Sequence, residues 1–561
     1  MGENKYALGV DYGTKSGRAL LMNVRTGEEV AEAVLEYPHG VIDERLPDSE
    51  VTLDIDWALQ HPADHLEVLR VCVPKVLKDS GVAAQDVIGI GIDFTSCSML
   101  PVDRDNTPLC FLPEYRENPH AYMKLWKHHA AQPEADEINR IGREMGEPFL
   151  DFYGGKLSAE WMLAKSLQIA DEAPEIYDAA DLFMEAGDFM VATLTGKRTW
   201  SNYSAGFKTA WNKRLGFPSK AFFKRLNPRV ENLIEDKFQP DNICPVGSRA
   251  GLLNAEWAGC LGLCEGTPVA VAIADAPASM PTVGAVEAGL LMIIMGTSSC
   301  HMVLSESEQK VPGICGVVED ALIPGYFGYE AGQPATGDLL DWFVSNCVPE
   351  DYERQARERG INIHTLLTEK AQALRPGESG LIALDWLNGN RTKLIDSDLT
   401  GLILGLTLLT KPEEIYRALI EATAFGTKII VDNFEKNGVP IREIRACGGI
   451  ARKNEMMMQI YADVTGREIK VSTSKQSSAC GAAMYGAVAA GSALGGYDSI
   501  QQASRALCKL SPKGYHPNPE NSRVYERIFA EYQLLHDYFG TGVNDVMKRM
   551  KALRQQQRDR A

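Results

Sequence analysis

The chain has no C-x-x-C pair, although it carries 12 cysteines. Its nearest two, Cys260 and Cys264, lack the further cysteine or histidine partners of a zinc site, and the 10 histidines are equally scattered. The thiols therefore read as reduced core or surface residues. No stretch has the length and apolar purity of a membrane span. The opening Met1-Gly-Glu-Asn-Lys5 leads into an expected strand without the apolar run of a leader peptide. A cytoplasmic location with no membrane partner is expected. No long basic stripe interrupts a formal net charge of −18, which argues against a nucleic-acid partner. Neither G-x-x-x-x-G-K-[ST] nor the protein-kinase motif set occurs, so a P-loop and a protein-kinase fold are excluded. There is no low-complexity linker, and the domains are expected to pack closely.

What is present is an ordinary globular composition on a long chain. The 561 residues, 45% apolar and 24% charged, suit about two to four domains with ample core. Strands precede helices twice over. Apolar runs predict strands at 6–11, 18–24, 28–36 and 87–94, with a helix near 61–79 carrying Leu66, Leu69, Val71 and Val76 at helical spacing. Residues 120–195 read as mainly helical, with His128-His129 on a polar helix face. The pattern restarts with strands at Val269–Ala274 and Leu290–Met295. Helices follow near 336–346, 364–374 and 412–437, then a strand at 443–447 and helices at 453–465 and 479–491. From about Asn521 the tail reads as one charged amphipathic helix whose basic end, Lys551 to Arg560, is a solvated terminus.

Two segments half a chain apart look alike. Tyr6-Ala-Leu-Gly-Val-Asp-Tyr-Gly-Thr-Lys-Ser-Gly-Arg18 and Leu291-Met-Ile-Ile-Met-Gly-Thr-Ser-Ser-Cys300 each read as an apolar strand, a Gly-Thr turn and small polar residues before a second apolar run. Each predicts a β-hairpin whose turn exposes N–H groups and hydroxyls. Such a turn can cradle a phosphate, because its dipoles favour an anion and glycine permits close approach. Alone, either turn is an ordinary hairpin. Together, Gly13-Thr14 and Gly296-Thr297 suggest two similar domains gripping one polyphosphate.

Three further segments carry chemistry. Gly91-Ile-Asp-Phe-Thr-Ser96 ends an apolar strand with a carboxylate and hydroxyls, and Val269-Ala-Val-Ala-Ile-Ala-Asp275 does the same with Asp275. Strand ends facing a cleft are where α/β folds put reactive groups. A helix N-cap before Ala276-Pro277 explains Asp275 equally well. Ala446-Cys-Gly-Gly-Ile-Ala-Arg-Lys-Asn-Glu455 reads as strand, double-glycine turn and helix start. Gly448 and Gly449 would let a flat ring or a sugar lie against the backbone, or would simply turn the chain.

Together these segments resemble the FGGY carbohydrate kinases. Asp11-Tyr-Gly-Thr-Lys-Ser-Gly-Arg18 is similar to the family's first phosphate motif and Met295-Gly-Thr-Ser-Ser299 to the second. Ala446-Cys-Gly-Gly-Ile450 with Asn454 is similar to its adenosine motif, and Ser478–Ala487 to its connecting helix. Gly401-Leu-Ile-Leu-Gly-Leu406, with Glu414-Ile415 and Ala418-Leu-Ile-Glu421, resembles the C-terminal signature. Tyr153–Trp161 resembles the N-terminal one, with Glu160 where many relatives carry lysine. The resemblance runs from about residue 5 to 540. It implies an α/β fold of two actin/hexokinase-like (ribonuclease H-like) domains, 1–285 for the sugar and 286–561 for the nucleotide, with the active site in the cleft between them. Within the family, Pro113–Pro119, Leu125-Trp-Lys127, Ser204–Trp211, Gly328–Gln333 and Leu384–Thr392 are most similar to the members that phosphorylate ribulose.

The resemblance implies a sugar site near Ser96, Lys208, Asp275 and Glu330, with Asp275 as the catalytic base. It implies ATP held by Gly13, Thr14, Arg18, Gly296, Thr297, Gly448, Gly449 and Asn454, and Mg²⁺ held at Asp11. The expected reaction is transfer from ATP to the 5-hydroxyl of a ketopentose, with L-ribulose the expected substrate in arabinose catabolism. The assembly state stays open and includes a homodimer. Three other readings stand beside this one. They are a related xylulose or glycerol kinase, an actin-like ATP-binding sugar sensor without catalysis, and a chaperone or filament ATPase. The last would need an added peptide-binding domain or polymer contacts.

Overall fold

In the computed structural model the described residues are 4–558. The opening Met1, Gly2 and Glu3 and the end of the basic tail, Asp559 to Ala561, lie outside them.

Two large sheets follow one plan. In the first, the strand order is Arg249–Leu252, Pro268–Ala270, Val87–Phe94, Tyr6–Tyr12, Ser16–Asn23, Glu29–Glu36, with Ile273–Ala274 also pairing with Val87–Phe94. In the second it is Leu510–Tyr515, Ile469–Ser472, Glu443–Cys447, Leu290–Met295, Ser299–Ser305, Phe327–Gln333, Gly316–Glu319. Each sheet has an antiparallel meander on one side of its founding strand, two parallel strands on the other, and an antiparallel edge beyond them. The two Gly-Thr segments are the founding hairpins of the two sheets. Tyr12 pairs with Gly17 in the first and Met295 with Ser299 in the second. The expected strand at Val269–Ala274 is broken, with residues 271 and 272 between its two short pieces.

Val87–Phe94 is buried at every position, as a parallel strand covered on both faces must be. The helix Pro62–Ser80 packs on the hairpin side of this sheet. The opposite face is covered by Ser477–Ala490, a helix from the far end of the chain built largely from alanine, serine and glycine. Its seat is made by glycines. Gly9 lies opposite Gly91 in the parallel register, and a Cβ at Gly91 would stand 1.8 Å from the Ala482 carbonyl oxygen. A Cβ at Gly89 would stand 2.1 Å from the Gly486 carbonyl. Small residues on both sides let helix backbone touch strand backbone, so this helix ties the two halves of the chain together.

A four-stranded sheet of Leu59–Gln60, Met123–Lys124, Met99–Val102 and Leu182–Glu185 belongs to the first half. It interrupts the helical stretch expected over 120–195. The reading of His128-His129 as a polar helix face is overturned. Both residues lie in a turn ahead of the helix Gln132–Met145, and His128 is fully buried. Its Nδ1 accepts from the Ala58 N–H at 3.3 Å while Nε2 lies 2.9 Å from the Gln168 side-chain oxygen, so it is a satisfied core group.

The tail also differs from expectation. Pro519–Gly540 and Val546–Arg558 are separate helices, because Gly542 adopts φ +83° between them. Two of its lysines make ion pairs, while Arg554 is exposed as a solvated basic end would be. Lys548 pairs with Asp396 at 2.5 Å and Lys551 with Asp398 at 2.8 Å. Among the described residues no helix is long and apolar enough to cross a membrane.

Candidate active site

Three carboxylates gather where strands of the first sheet end. Asp11 closes the Tyr6–Tyr12 strand and lies opposite Asp93 in the parallel register. Asp275 follows the Ile273–Ala274 strand, in which Ile273 is paired with Asp93. Asp11 is buried, with the Arg18 Nε 3.2 Å from its Oδ2. Arg18 in turn donates from Nη1 to the Gln476 side-chain oxygen at 2.5 Å, just ahead of the helix that joins the two halves. Asp93 is fully buried, and neither of its oxygens has a donor from another residue. Two carboxyls side by side can bond only through a shared proton. Burial, and then the charges of Asp11 and Asp275, push Asp93 well above the carboxylate range.

Asp275 is the first residue of a short helix rather than its cap. Its Oδ1 accepts from the next N–H, that of Ala276, at 2.7 Å. Burial, and then the nearby Asp11, push its carboxyl up to about 7. A carboxylate tuned to that range can accept a proton at neutral pH.

Farther along the cleft, Lys208 and Glu330 meet. Lys208 lies in the last turn of the helix Asn202–Thr209, and its Nζ is 3.2 Å from Glu330 Oε2. Although burial opposes its charge, Glu330 holds the ammonium well above the usual lysine range. The Tyr203 hydroxyl bonds Glu330 at 3.2 Å and the Ser96 hydroxyl at 3.4 Å. Glu330 stands in Phe327–Gln333 with Gly328 and Gly332 on its own face and Gly316 directly across the pairing. Neighbouring groups fill the places of the missing side chains: a Cβ at Gly328 would stand 2.4 Å from Leu322 Cγ and one at Gly316 2.9 Å from Phe207 Cδ1.

The residues expected to hold the nucleotide are held by other neighbours. Gly13 donates to the Ser16 carbonyl at 2.9 Å, and the Gln60 amide donates to the carbonyls of Gly13 at 3.2 Å and Thr14 at 2.9 Å. The Trp126 indole N–H donates to the Thr14 hydroxyl at 3.0 Å. The second turn is fastened to the start of the helix Gly337–Cys347, whose Gly337 N–H donates to the Gly296 carbonyl at 3.0 Å. The Thr336 N–H donates to the Thr297 carbonyl at 2.8 Å. Gly448 adopts φ +96°, and a Cβ there would stand 2.3 Å from the Met295 carbonyl, so Gly448 abuts the strand that carries this turn. Gly449 faces open space. Asn454 caps the helix Glu455–Thr465 by accepting from the Met457 N–H at 3.0 Å.

The geometry therefore joins Asp11 with Arg18 and Asp275, and Ser96 with Lys208 and Glu330 through Tyr203. Gly296 and Thr297 neighbour Gly448, while Asn454 sits at the next helix start. Tyr203, Trp126 and Arg391 were not singled out as site residues from sequence, whereas the Asp93 carboxylate and Glu160 were noted. Asp93 was legible as a carboxylate ending a wholly apolar strand. Tyr203 and Trp126 lie within or beside the quoted phrases, but nothing local marks them. Arg391 and Glu160 are 231 residues apart, yet Arg391 Nη2 lies 3.3 Å from Glu160 Oε1.

Among the described residues no group of three or more metal-ligating side chains forms a cage. Mg²⁺ keeps several waters and takes one or two carboxylates together with substrate phosphates. Asp11, beside the partnerless Asp93 oxygens, offers such a carboxylate.

Comparison with known proteins agrees with this plan. Residues 6–280 match the N-terminal domain of the FGGY family of carbohydrate kinases and residues 291–490 its C-terminal domain. A ribulokinase of Geobacillus thermodenitrificans is 56% identical over 547 residues, 98% of this chain and 97% of its own. A ribulokinase of Mycolicibacterium smegmatis is 45% identical over 99% of this chain and 97% of its own. Among solved structures, a xylulose kinase from Rhodospirillum rubrum superposes with a TM-score of 0.75 at 22% identity, covering 95% of this chain and 98% of its own. At that identity the likeness speaks for the fold alone.

Proposed function

Because the chain belongs to the FGGY family of carbohydrate kinases, we propose that it phosphorylates ribulose with ATP, and that Asp275 is the base. The observation that carries the mechanism is a carboxyl held at about 7 at the strand ends beside Asp11. The substrate assignment rests on full-length identity to chains named ribulokinase.

A sugar hydroxyl is a weak nucleophile. Asp275 accepts its proton as the bond from O5 to the γ-phosphorus forms and the bond from that phosphorus to the bridging oxygen of ADP breaks. The products are ribulose 5-phosphate and ADP. Lys208, Glu330 and Ser96 hold the sugar hydroxyls. Thr14 and Thr297, with the N–H groups of their turns, hold the phosphates, and Arg18 keeps Asp11 oriented. Gly448, Gly449 and Asn454 receive the nucleoside. Asp11 would hold Mg²⁺, directly or through water, and the ion would supply charge neutralisation on the phosphates. Closure of the cleft excludes water that would otherwise compete for the phosphoryl group.

The reading includes a division near 285/286, supported by the end of the first sheet at Ala274 and the start of the second at Leu290. It includes L-ribulose as the physiological substrate in arabinose catabolism, and a cytoplasmic location without nucleic-acid or membrane partner. A homodimer is part of it, supported by the exposed Leu404, Leu406, Leu408 and Leu409 and tested by light scattering. The experiment for the function is ribulose-dependent ADP release by the purified chain with Mg-ATP, with ³¹P NMR to locate the new phosphate. ATP binding without ketose-dependent turnover would overturn the reading in favour of a sensor.

A further inference from the structure

A 2-ketopentose that offers its 5-hydroxyl must be open-chain, because a furanose ring would use that oxygen. Its C2 is then a free carbonyl, which accepts hydrogen bonds and donates none. Of the two cations near Glu330, the buried Lys208 is already occupied, with Nζ 3.2 and 3.5 Å from the two Glu330 oxygens.

Arg391 is the other. It reaches the cleft from the irregular segment after the strand Ile382–Leu384. A Cβ at Gly332 would stand 3.5 Å from its Cδ and 3.6 Å from its Nη1, so the guanidinium lies against the face of the strand that carries Glu330. The hydrogen bond described for the guanidinium runs from Nη2 to Glu160, at 3.3 Å. A guanidinium has five N–H donors, and about a quarter of this side chain, 24%, remains exposed. Glu160 is fixed in turn by His129, whose Nε2 is 3.2 Å from the same carboxylate oxygen. Asp275 has Asp11 and Glu330 as its electrostatic neighbours, whereas Arg391 has Glu160 and Glu330. Gly332 stands two residues from Glu330 on one face of the strand, which puts the guanidinium beside the carboxylate assigned to the middle of the sugar.

We propose that Arg391 donates to the C2 carbonyl of the ketose and that Glu160, bridging from the first half of the chain, is the residue that positions it. The proposal rests on the ribulose kinase reading. A carboxylate at position 160 orients the arginine that reads the keto group. A polyol carries a hydroxyl at C2, which can also donate and so depends less on a cation.

The test compares L-ribulose with ribitol. Arg391→Gln should lower kcat/KM for L-ribulose by a factor on the order of 10², mainly through KM, as loss of a hydrogen bond to a substrate oxygen does. The inhibition constant of ribitol against L-ribulose should change by no more than about threefold, because a hydroxyl can both donate to the glutamine oxygen and accept from its nitrogen, whereas the carbonyl only exchanges a charged donor for a neutral one. ATP affinity by calorimetry should be unchanged. Glu160→Gln should show the same selective loss, smaller in size. Arg391→Lys, which keeps the charge, gives the reading if the glutamine variant does not fold. Equal losses for ketose and polyol, or an unchanged kcat/KM, would overturn the proposal. A wild-type chain that turns over no ribulose would instead overturn the functional reading beneath it.

Discussion

Lys208 Nζ and Glu330 Oε2 stand 3.2 Å apart, joining a helix of the first half of the chain to a strand of the second. The pair spans 122 residues and is walled by the rings of Trp161 and Tyr203, each 5.4 Å from the ammonium. A charged pair across a cleft both shapes a polar pocket and holds its two walls in register.

Lys208→Ala should therefore raise KM for ribulose strongly and leave ATP affinity by calorimetry nearly unchanged. It should also destabilise the fold, by less than the about 3–5 kcal/mol expected when a dry buried pair is broken, because Glu330 faces the cleft. Loss of ATP binding with ribulose binding spared would show that the sugar end has been misplaced.

Asp275→Asn keeps the shape of the side chain but removes proton acceptance. Its kcat should fall by at least about 10²-fold with both substrates still bound. In the wild type, kcat/KM should rise with pH through about 7 as the carboxyl ionises, and the variant should lack that limb. Stability follows the same shift. A carboxyl whose folded pKa is raised makes the fold less stable as pH rises from the unfolded value toward about 7. The Tm of Asp275→Asn should thus exceed that of the wild type at pH 8, with the gap closing toward pH 4.

The two neighbouring glycines of the nucleotide end should separate folding from binding. Gly449 has no atom within 4 Å of a would-be Cβ, so Gly449→Val should raise KM for ATP while Tm holds. Gly448 combines φ +96° with a carbonyl at 2.3 Å, so Gly448→Ala should lower Tm. Equal effects of the two changes on Tm would contradict this division.

Gly91→Ala tests the helix that ties the halves together. Its methyl would meet the Ala482 carbonyl at 1.8 Å, and backbone cannot rotate away as a side chain can. A loss of about 1–3 kcal/mol or more in urea unfolding is expected. An unchanged midpoint would mean that the helix Ser477–Ala490 does not sit on the strand as described.

Much of this architecture is legible in the sequence. Asp11 and Asp275 end apolar strands, and the paired Gly-Thr turns announce a repeated hairpin. The strands Gly316–Glu319 and Phe327–Gln333 escape such reading, since Gly316, Gly328 and Gly332 weaken the strand pattern. Those same glycines let Phe207, Leu322 and Arg391 pack against the strands beside Glu330. His128 looks like a polar surface residue, and only the fold shows Gln168 and Ala58 satisfying its ring. Arg391 and Glu160 meet through tertiary structure alone, so periodicity carries no trace of them. The break spans residues 541–545 in an otherwise helical tail, and the strength of the flanking pattern hides it.

The most direct measurement is ADP release by the purified chain with Mg-ATP, run side by side on L-ribulose, D-ribulose, D-xylulose and glycerol. The account predicts the highest kcat/KM for L-ribulose, with ribulose 5-phosphate as product. Xylulose and glycerol should be poorer by a factor on the order of 10² or more, because a misplaced hydroxyl leaves the buried polar groups of the site unpaired. A clear preference for xylulose or glycerol, or ADP release indifferent to any sugar, would contradict it.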